Sequence, residues 1–246
     1  MICISICAIT QKKALRDIKK AVPLCDLLEL RMDRIKSGNL IELIKYIRNL
    51  VPGKAILVTS RKTAEKNNWQ RNVSHKKKAT DINDEAGRWE ILQEAVRLGA
   101  DYVDVELEDD DTRVSELSGL IGQYGNKTRL ICSHHDFCGT PTVEQLKHIY
   151  LSCLQKGADV VKIVPYAKAT EDNLRVLELL VWAKEQGKGI IAFCMGDKGQ
   201  LSRVAAPLLG AVFTFAALDR RSAAAPGQMA AKDMKNILGI LQREES

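Results

Sequence analysis

Short apolar, β-branched runs alternate along the chain with longer stretches in which hydrophobic positions recur every three or four residues. The runs predict strands at 2–8, 25–32, 54–60, 101–107, 128–133, 159–164, 188–194 and 210–215. Helical faces lie between them. Leu146, Ile149, Tyr150 and Cys153 share one face, Trp89, Leu92 and Val96 another, and Met234, Ile237, Leu238 and Leu241 a third. Thr142 with Gln145 supplies a capping box just after Pro141. Gly99, Gly157 and Gly187 stand where a helix gives way to a strand, the position a left-handed residue closes best. Gly99-Ala-Asp-Tyr-Val-Asp-Val and Gly157-Ala-Asp-Val-Val-Lys-Ile read as two copies of one unit. Eight strand–helix units with no Pro/Ser linker between halves predict a single (β/α)8 TIM barrel over 1–246. An open doubly wound sheet is the alternative, but the turn Ala8-Ile9-Thr10-Gln11 lacks the glycine fingerprint of a dinucleotide site. The polar stretch from Arg61 to Asn83 is long for a strand-to-helix loop, and reads as either a lid or a decorated surface.

Composition leaves that picture intact. The chain has 246 residues, 46% hydrophobic and 28% charged, which excludes a disordered or fibrous protein and allows one barrel or two smaller domains. The longest uncharged stretch, Ala205 to Leu218, is broken by Pro207 and too short to span a bilayer. An apolar start followed by Lys12 and Lys13 reverses the charge order of a secretory signal, so neither membrane nor export is expected. The net charge of +6 has one dense run, Lys76-Lys77-Lys78, without clustered aromatics, and reads as a solvated segment rather than a nucleic-acid track. Seven Cys without a CxxC pair point to small core residues in a reducing cytoplasm.

The informative residues are charged ones on apolar strands. Alternation puts Leu28, Leu30 and Met32 against the helices, so Glu29 and Arg31 point into the barrel. The same count turns Thr59 and Arg61, Ser133 and His135, and Val160, Lys162 and Val164 inward. A lysine between Val161 and Ile163 loses its hydration unless it is paired. One reading is a structural ion pair, with Asp104 at the equivalent position of the repeated unit as partner. The other is an imine-forming nucleophile. His134 and His135 face opposite ways and cannot chelate one metal, and no metal site is expected. Parity makes His134 structural, packed against the helices, and His135 the general acid/base candidate.

These residues carry a resemblance. Glu29-Leu-Arg-Met-Asp33, Arg61-x-x-x-Glu65, Ser133-His-His-Asp-Phe137 with Thr140-Pro141, and Gly157-Ala-Asp-Val-Val-Lys162 resemble the type I 3-dehydroquinate dehydratases. So do Met195-Gly196 through Gly199 to Ser202-Arg203, and Ala225-Pro-Gly-Gln228, in family order across nearly the whole chain. The resemblance implies a shikimate-pathway lyase of aromatic amino acid biosynthesis that converts 3-dehydroquinate to 3-dehydroshikimate through a lysine Schiff base. It implies Lys162 as the imine lysine, His135 as acid/base and Glu65 as the carboxylate that holds and polarises the histidine. It implies Glu29, Arg31 and Arg61 on substrate hydroxyls and Arg203 and Gln228 on the substrate carboxylate, with no metal or organic cofactor. A homodimer is often found in the family. Two departures stand out. Lys66-Asn67 replaces the Gly-Gly that often follows the Glu65 position, and Ala224 stands where the family has a serine, with Ser222 two residues earlier as its possible replacement. Two other readings remain: a class I Schiff-base aldolase, with Gly196 to Gly199 as a phosphate site, and a non-enzymatic anion or nucleic-acid binder.

Overall fold

The computed structural model describes residues 1–35, 37–62 and 83–242. Eight strands run in parallel: β1 (Ile2–Ile6), β2 (Leu27–Arg31), β3 (Ala55–Thr59), β4 (Tyr102–Glu106), β5 (Arg129–Asp136), β6 (Val160–Pro165), β7 (Gly189–Ala192) and β8 (Thr214–Ala216). Their order is β7-β6-β5-β4-β3-β2-β1-β8, and Val212 N–H, just before β8, donates to Ile190 O of β7 at 2.9 Å across the remaining seam. The α-helices among the described residues are α1 (Gln11–Ala21), α2 (Leu40–Leu50), α3 (Asn83–Arg97), α4 (Asp111–Gln123), α5 (Val143–Gln155), α6 (Asp172–Lys184), α7 (Gln200–Leu208) and α8 (Ala231–Leu241). The molecule is a single (β/α)8 barrel.

Helix starts follow local chemistry. Thr10, Asn39 and Asp110 each accept an amide of the first turn, and Thr142 and Gln145 form the reciprocal capping box. Gly99, Gly157 and Gly187 take φ of 71°, 88° and 72°, so each terminates its helix in the left-handed region. The repeated Gly-Ala-Asp unit has a structural reason. Asp101 and Asp159 each accept the amide of the residue opposite on the preceding strand, Ile56 at 2.8 Å and Leu130 at 2.9 Å, and return a backbone amide to the same residue. Asp26 treats Ile2 in the same way, so three strand pairs are pinned in register at the barrel's N-terminal end.

Outward strand residues such as Leu28, Leu30, Val58, Val103, Val161 and Ile163 pack on the helices in one continuous core. A second apolar cluster, including Cys3, Leu27, Leu57, Ile131, Val160 and Phe213, fills the barrel's interior below the functional end. Most strand bounds differ from the sequence expectation by one or two residues, and two differ by more. β5 runs on through His134, His135 and Asp136, because all three keep ladder partners on β6 despite their polarity. β8 starts only at Thr214: Gly210 has φ 98° and closes the turn after α7, so the first part of that apolar run is a connection. All seven cysteines are free, five of them buried. No helix among the described residues is long and apolar enough to cross a membrane.

Candidate active site

At the C-terminal end of the strands a cavity opens between β1, β2, β5, β6 and the loops after β3, β7 and β8, lined by both charged and apolar side chains. Glu29, Arg31, Arg61, His135, Lys162, Arg203 and Gln228 all line it. These seven residues come from six separate segments of the chain; strand parity turns Glu29, Arg31, Arg61, His135 and Lys162 inward, while Arg203 comes from α7 and Gln228 from the loop after β8.

Lys162 comes from the middle of β6 and is 5% exposed. Its Nζ donates to Asp104 Oδ2 at 3.1 Å and sits 4.5 Å from the centre of the Phe215 ring, so the cation is held by a carboxylate and an aromatic face. The ion pair anticipated between Lys162 and Asp104 is thus present, and it lies inside the candidate site. Asp104 is fully buried. Burial alone would raise its pKa, but Arg61 beside it, then Lys162 and the Ser133 hydroxyl, bring it down to about 2. Arg61, just past β3, donates from Nη2 to Asp104 at 2.6 Å and from Nη1 to Ser133 Oγ at 2.6 Å. Ser133 in turn donates to Asp104 Oδ1 at 2.6 Å.

Glu29 is held from two sides, by Ser5 Oγ and by Thr59 Oγ1 at 2.8 Å. Arg31 turns back to make a bidentate pair with Asp33, with both bonds at 2.9 Å. Burial opposes its charge, and Asp33 outweighs the burial and raises its pKa. His135 is half-buried and stacks on Phe137, with ring centres 6.3 Å apart and an angle of 21°. It pairs in the ladder with Val164, one inward layer beyond Lys162, a rise of about 6.6 Å that a lysine side chain can span. His134 points outward as parity requires. It lies at the rim rather than in the helix interface, where its Nδ1 meets Glu108 at 2.8 Å.

Arg203 on α7 is fully buried, and its guanidinium lies 4.5 Å over the Phe193 ring. Nη2 donates to Pro226 O at 3.2 Å, while Nε and Nη1 have no hydrogen-bond partner among the described residues. Burial pushes its pKa down to about 10, only partly offset by the nearby Cys194. A buried cation with spare donors aimed into a cavity is built to receive an anion. The loop after β8 closes the site above it. Gln228 Oε1 accepts from Ala224 N at 2.7 Å, and Gly196 N donates to Pro226 O at 3.2 Å. Gly227, at φ 77°, lies so close to the Gly196 carbonyl that any Cβ would collide with it.

One expected site residue falls elsewhere, and another is not among the described residues. Ser222 does not line this cavity; its hydroxyl accepts from Asp219 N and donates to Asp219 O, closing a surface turn beside an adjoining pocket that shares Ser5 and Ala224 with it. Ala224 occupies the rim instead. Glu65 lies outside the described residues, as does the stretch 63–82 read as a lid or surface loop. Sequence reasoning left three groups unassigned to the site: Ser5, the Phe193/Phe215 wall, and Asp104 as a shared acceptor. Parity on β1, β4, β7 and β8 is the available signal. Among the described residues no cluster of three or more His, Cys, Asp or Glu could hold a metal ion.

Comparison with known proteins agrees with this fold. The family model for type I 3-dehydroquinase matches residues 2–245. The 3-dehydroquinate dehydratase of Syntrophobacter fumaroxidans is 41% identical over 158 residues, 64% of this chain and 65% of its own. That of Thermococcus gammatolerans is 37% identical over 218 residues, 88% of each chain. The crystal structure of the 3-dehydroquinate dehydratase from Geobacillus kaustophilus superimposes with a TM-score of 0.79 at 26% identity, covering 98% of this chain and 90% of that one. With its barrel, its inward lysine and a family match over nearly its whole length, this chain belongs to the type I 3-dehydroquinase family.

Proposed function

We propose that the chain dehydrates 3-dehydroquinate to 3-dehydroshikimate through an imine on Lys162. The observation that carries the reading is one cavity that holds a buried amine, a histidine one layer above it and a buried guanidinium with free donors. The amine of Lys162 adds to the substrate ketone, water leaves, and a protonated imine forms in place of the lysine cation. Asp104, 3.1 Å from Nζ and ionised, balances that charge throughout. The imine withdraws electrons, so the neighbouring C–H becomes acidic enough for His135 to take its proton. The resulting enamine expels the β-hydroxyl, which leaves as water with the proton that His135 returns. Water then hydrolyses the imine and frees the product and Lys162. The reaction so written calls on no cofactor.

Arg203, steadied by Gln228 and the loop it closes, receives the substrate carboxylate. Glu29, Arg31 and Arg61 face the substrate hydroxyls, and Glu65 is assigned to holding His135 on the family resemblance. Ser222 is assigned no substrate contact, since its hydroxyl is engaged by Asp219. The family resemblance extends the proposal to a cytoplasmic homodimer. An aldolase using a phosphate nest at Gly196–Gly199 fits less well. Gly199 N already donates to Gly196 O at 2.9 Å and Ser202 N to Asn173 Oδ1 at 3.0 Å, and a Cβ on Gly199 would lie 2.8 Å from the Cys194 backbone. The direct test is growth of the enone carboxylate absorbance on adding 3-dehydroquinate, lost in Lys162→Ala. No absorbance change with the folded wild-type protein would reject the reading.

A further inference from the structure

Outside the cavity, at the start of α3, lies a second buried charge cluster. Arg88 is 3% exposed and uses all three faces of its guanidinium. Nε donates to Ser60 O at 2.6 Å, Nη1 to Glu85 at 3.1 Å, and Nη2 to Asp109 Oδ2 at 2.5 Å. Asp109, also buried, accepts Glu106 N at 2.7 Å on the same oxygen and lies 2.7 Å from Lys62 Nζ. Burial works against both charges, and their mutual contact overrides it, raising the Arg88 pKa and lowering that of Asp109.

The bonds run toward the site. Ser60 immediately precedes Arg61, and Glu106 ends β4 two residues beyond Asp104. Glu106 Oε1 accepts Lys62 N at 3.0 Å and stands 3.8 Å from Arg61 Nη1. Arg88 and Asp109 therefore clamp the ends of β3 and β4 to each other and to α3, on either side of the residue whose guanidinium grips Asp104 and Ser133. A buried fork of this kind is a costly way to stabilise a barrel, because well-packed apolar residues do so equally well. Its geometry serves placement.

We propose that Arg88 and Asp109 are positioning residues for the reaction: they fix the backbone that carries Arg61, and through Arg61 set the pose of Asp104 and Lys162. The proposal rests on the imine-dehydratase reading. Neither residue lines the cavity, so neither touches substrate.

A double-mutant cycle tests it. Arg88→Met lowers kcat/KM about tenfold or more, because sub-ångström displacement of a reacting group is expensive. In an Arg61→Lys background, where the fork onto Asp104 and Ser133 is already lost, the same substitution costs less than about twofold. Arg88→Lys keeps the charge but loses the fork onto Ser60, and Asp109→Asn keeps an acceptor for Glu106 N. Both give smaller losses in the same direction, and both stand in if Arg88→Met does not fold. Melting temperatures are taken on every variant. Folded variants with kcat/KM within twofold of wild type, or an equal loss in both backgrounds, overturn the proposal. A wild-type protein inert toward 3-dehydroquinate would instead sink the dehydratase reading beneath it.

Discussion

Lys162 and Arg61 share one carboxylate oxygen: Asp104 Oδ2 receives Nζ at 3.1 Å and Nη2 at 2.6 Å. The two cations on the cavity floor are therefore set by a single residue on β4, whose other oxygen is tied to Ser133. Asp104→Asn removes the charge and keeps the shape. It is expected to destabilise the fold by about 3–5 kcal/mol, the usual consequence of leaving buried cations without their partner. It should also lower kcat about 100-fold, since the imine loses its counter-charge. Urea titration and steady-state kinetics on the same preparation check both.

The same carboxylate predicts an acid limit. Asp104 titrates near 2 in the folded protein against 3.8 as the unperturbed value, so the folded state binds fewer protons than the unfolded chain between those two pH values. Its contribution, about 2 kcal/mol, is complete above pH ~4 and drains away as pH falls toward 2. The gap in unfolding free energy between wild type and Asp104→Asn should be about 1–2 kcal/mol narrower at pH 2.5 than at pH 5.

Arg203 has the opposite sign. Its folded pKa of about 10 lies below the ordinary 12.5, so at neutral pH the folded barrel bears the cost of a buried cation. Arg203→Met should melt no lower than wild type without ligand, while KM for 3-dehydroquinate rises about 100-fold or more. Wild type should gain melting temperature on binding an anionic substrate analogue, and the variant should not. A variant that melts far lower without ligand would make Arg203 a structural residue.

His135→Ala separates the chemical steps. Imine capture depends on Lys162, whereas proton removal and departure of water depend on the imidazole. Turnover is expected to fall by about 10²–10⁴-fold while substrate still becomes covalently attached. Near-normal turnover with an unchanged pH–rate profile would remove His135 from the acid/base role.

Much of this was legible from residue order. Period-two alternation on β2, β5 and β6 is a local property, and it was enough to turn Glu29, His135 and Lys162 inward without any knowledge of the rest of the chain. Partners set by turn conformation or by barrel closure are different. That Asp104 would serve Lys162 and Arg61 together depends on the strand stagger of the closed barrel, and that Arg31 would fold back on Asp33 depends on the turn after β2. Loop residues were the least legible. Ser222 and Ala224 are two positions apart, yet only the latter reaches the cavity, because Asp219 holds Ser222 in a tight turn. Arg88 carried no signal at all, since an arginine in the first turns of a helix ordinarily faces water.

The central claim is a covalent bond between Lys162 and the substrate ketone. Wild-type protein incubated with 3-dehydroquinate and borohydride, digested and measured by mass spectrometry, should show the peptide containing Lys162 heavier by the reduced adduct, with no such gain in Lys162→Ala. An unmodified Lys162 in a protein that turns over the substrate, or an adduct on another lysine, would contradict the account.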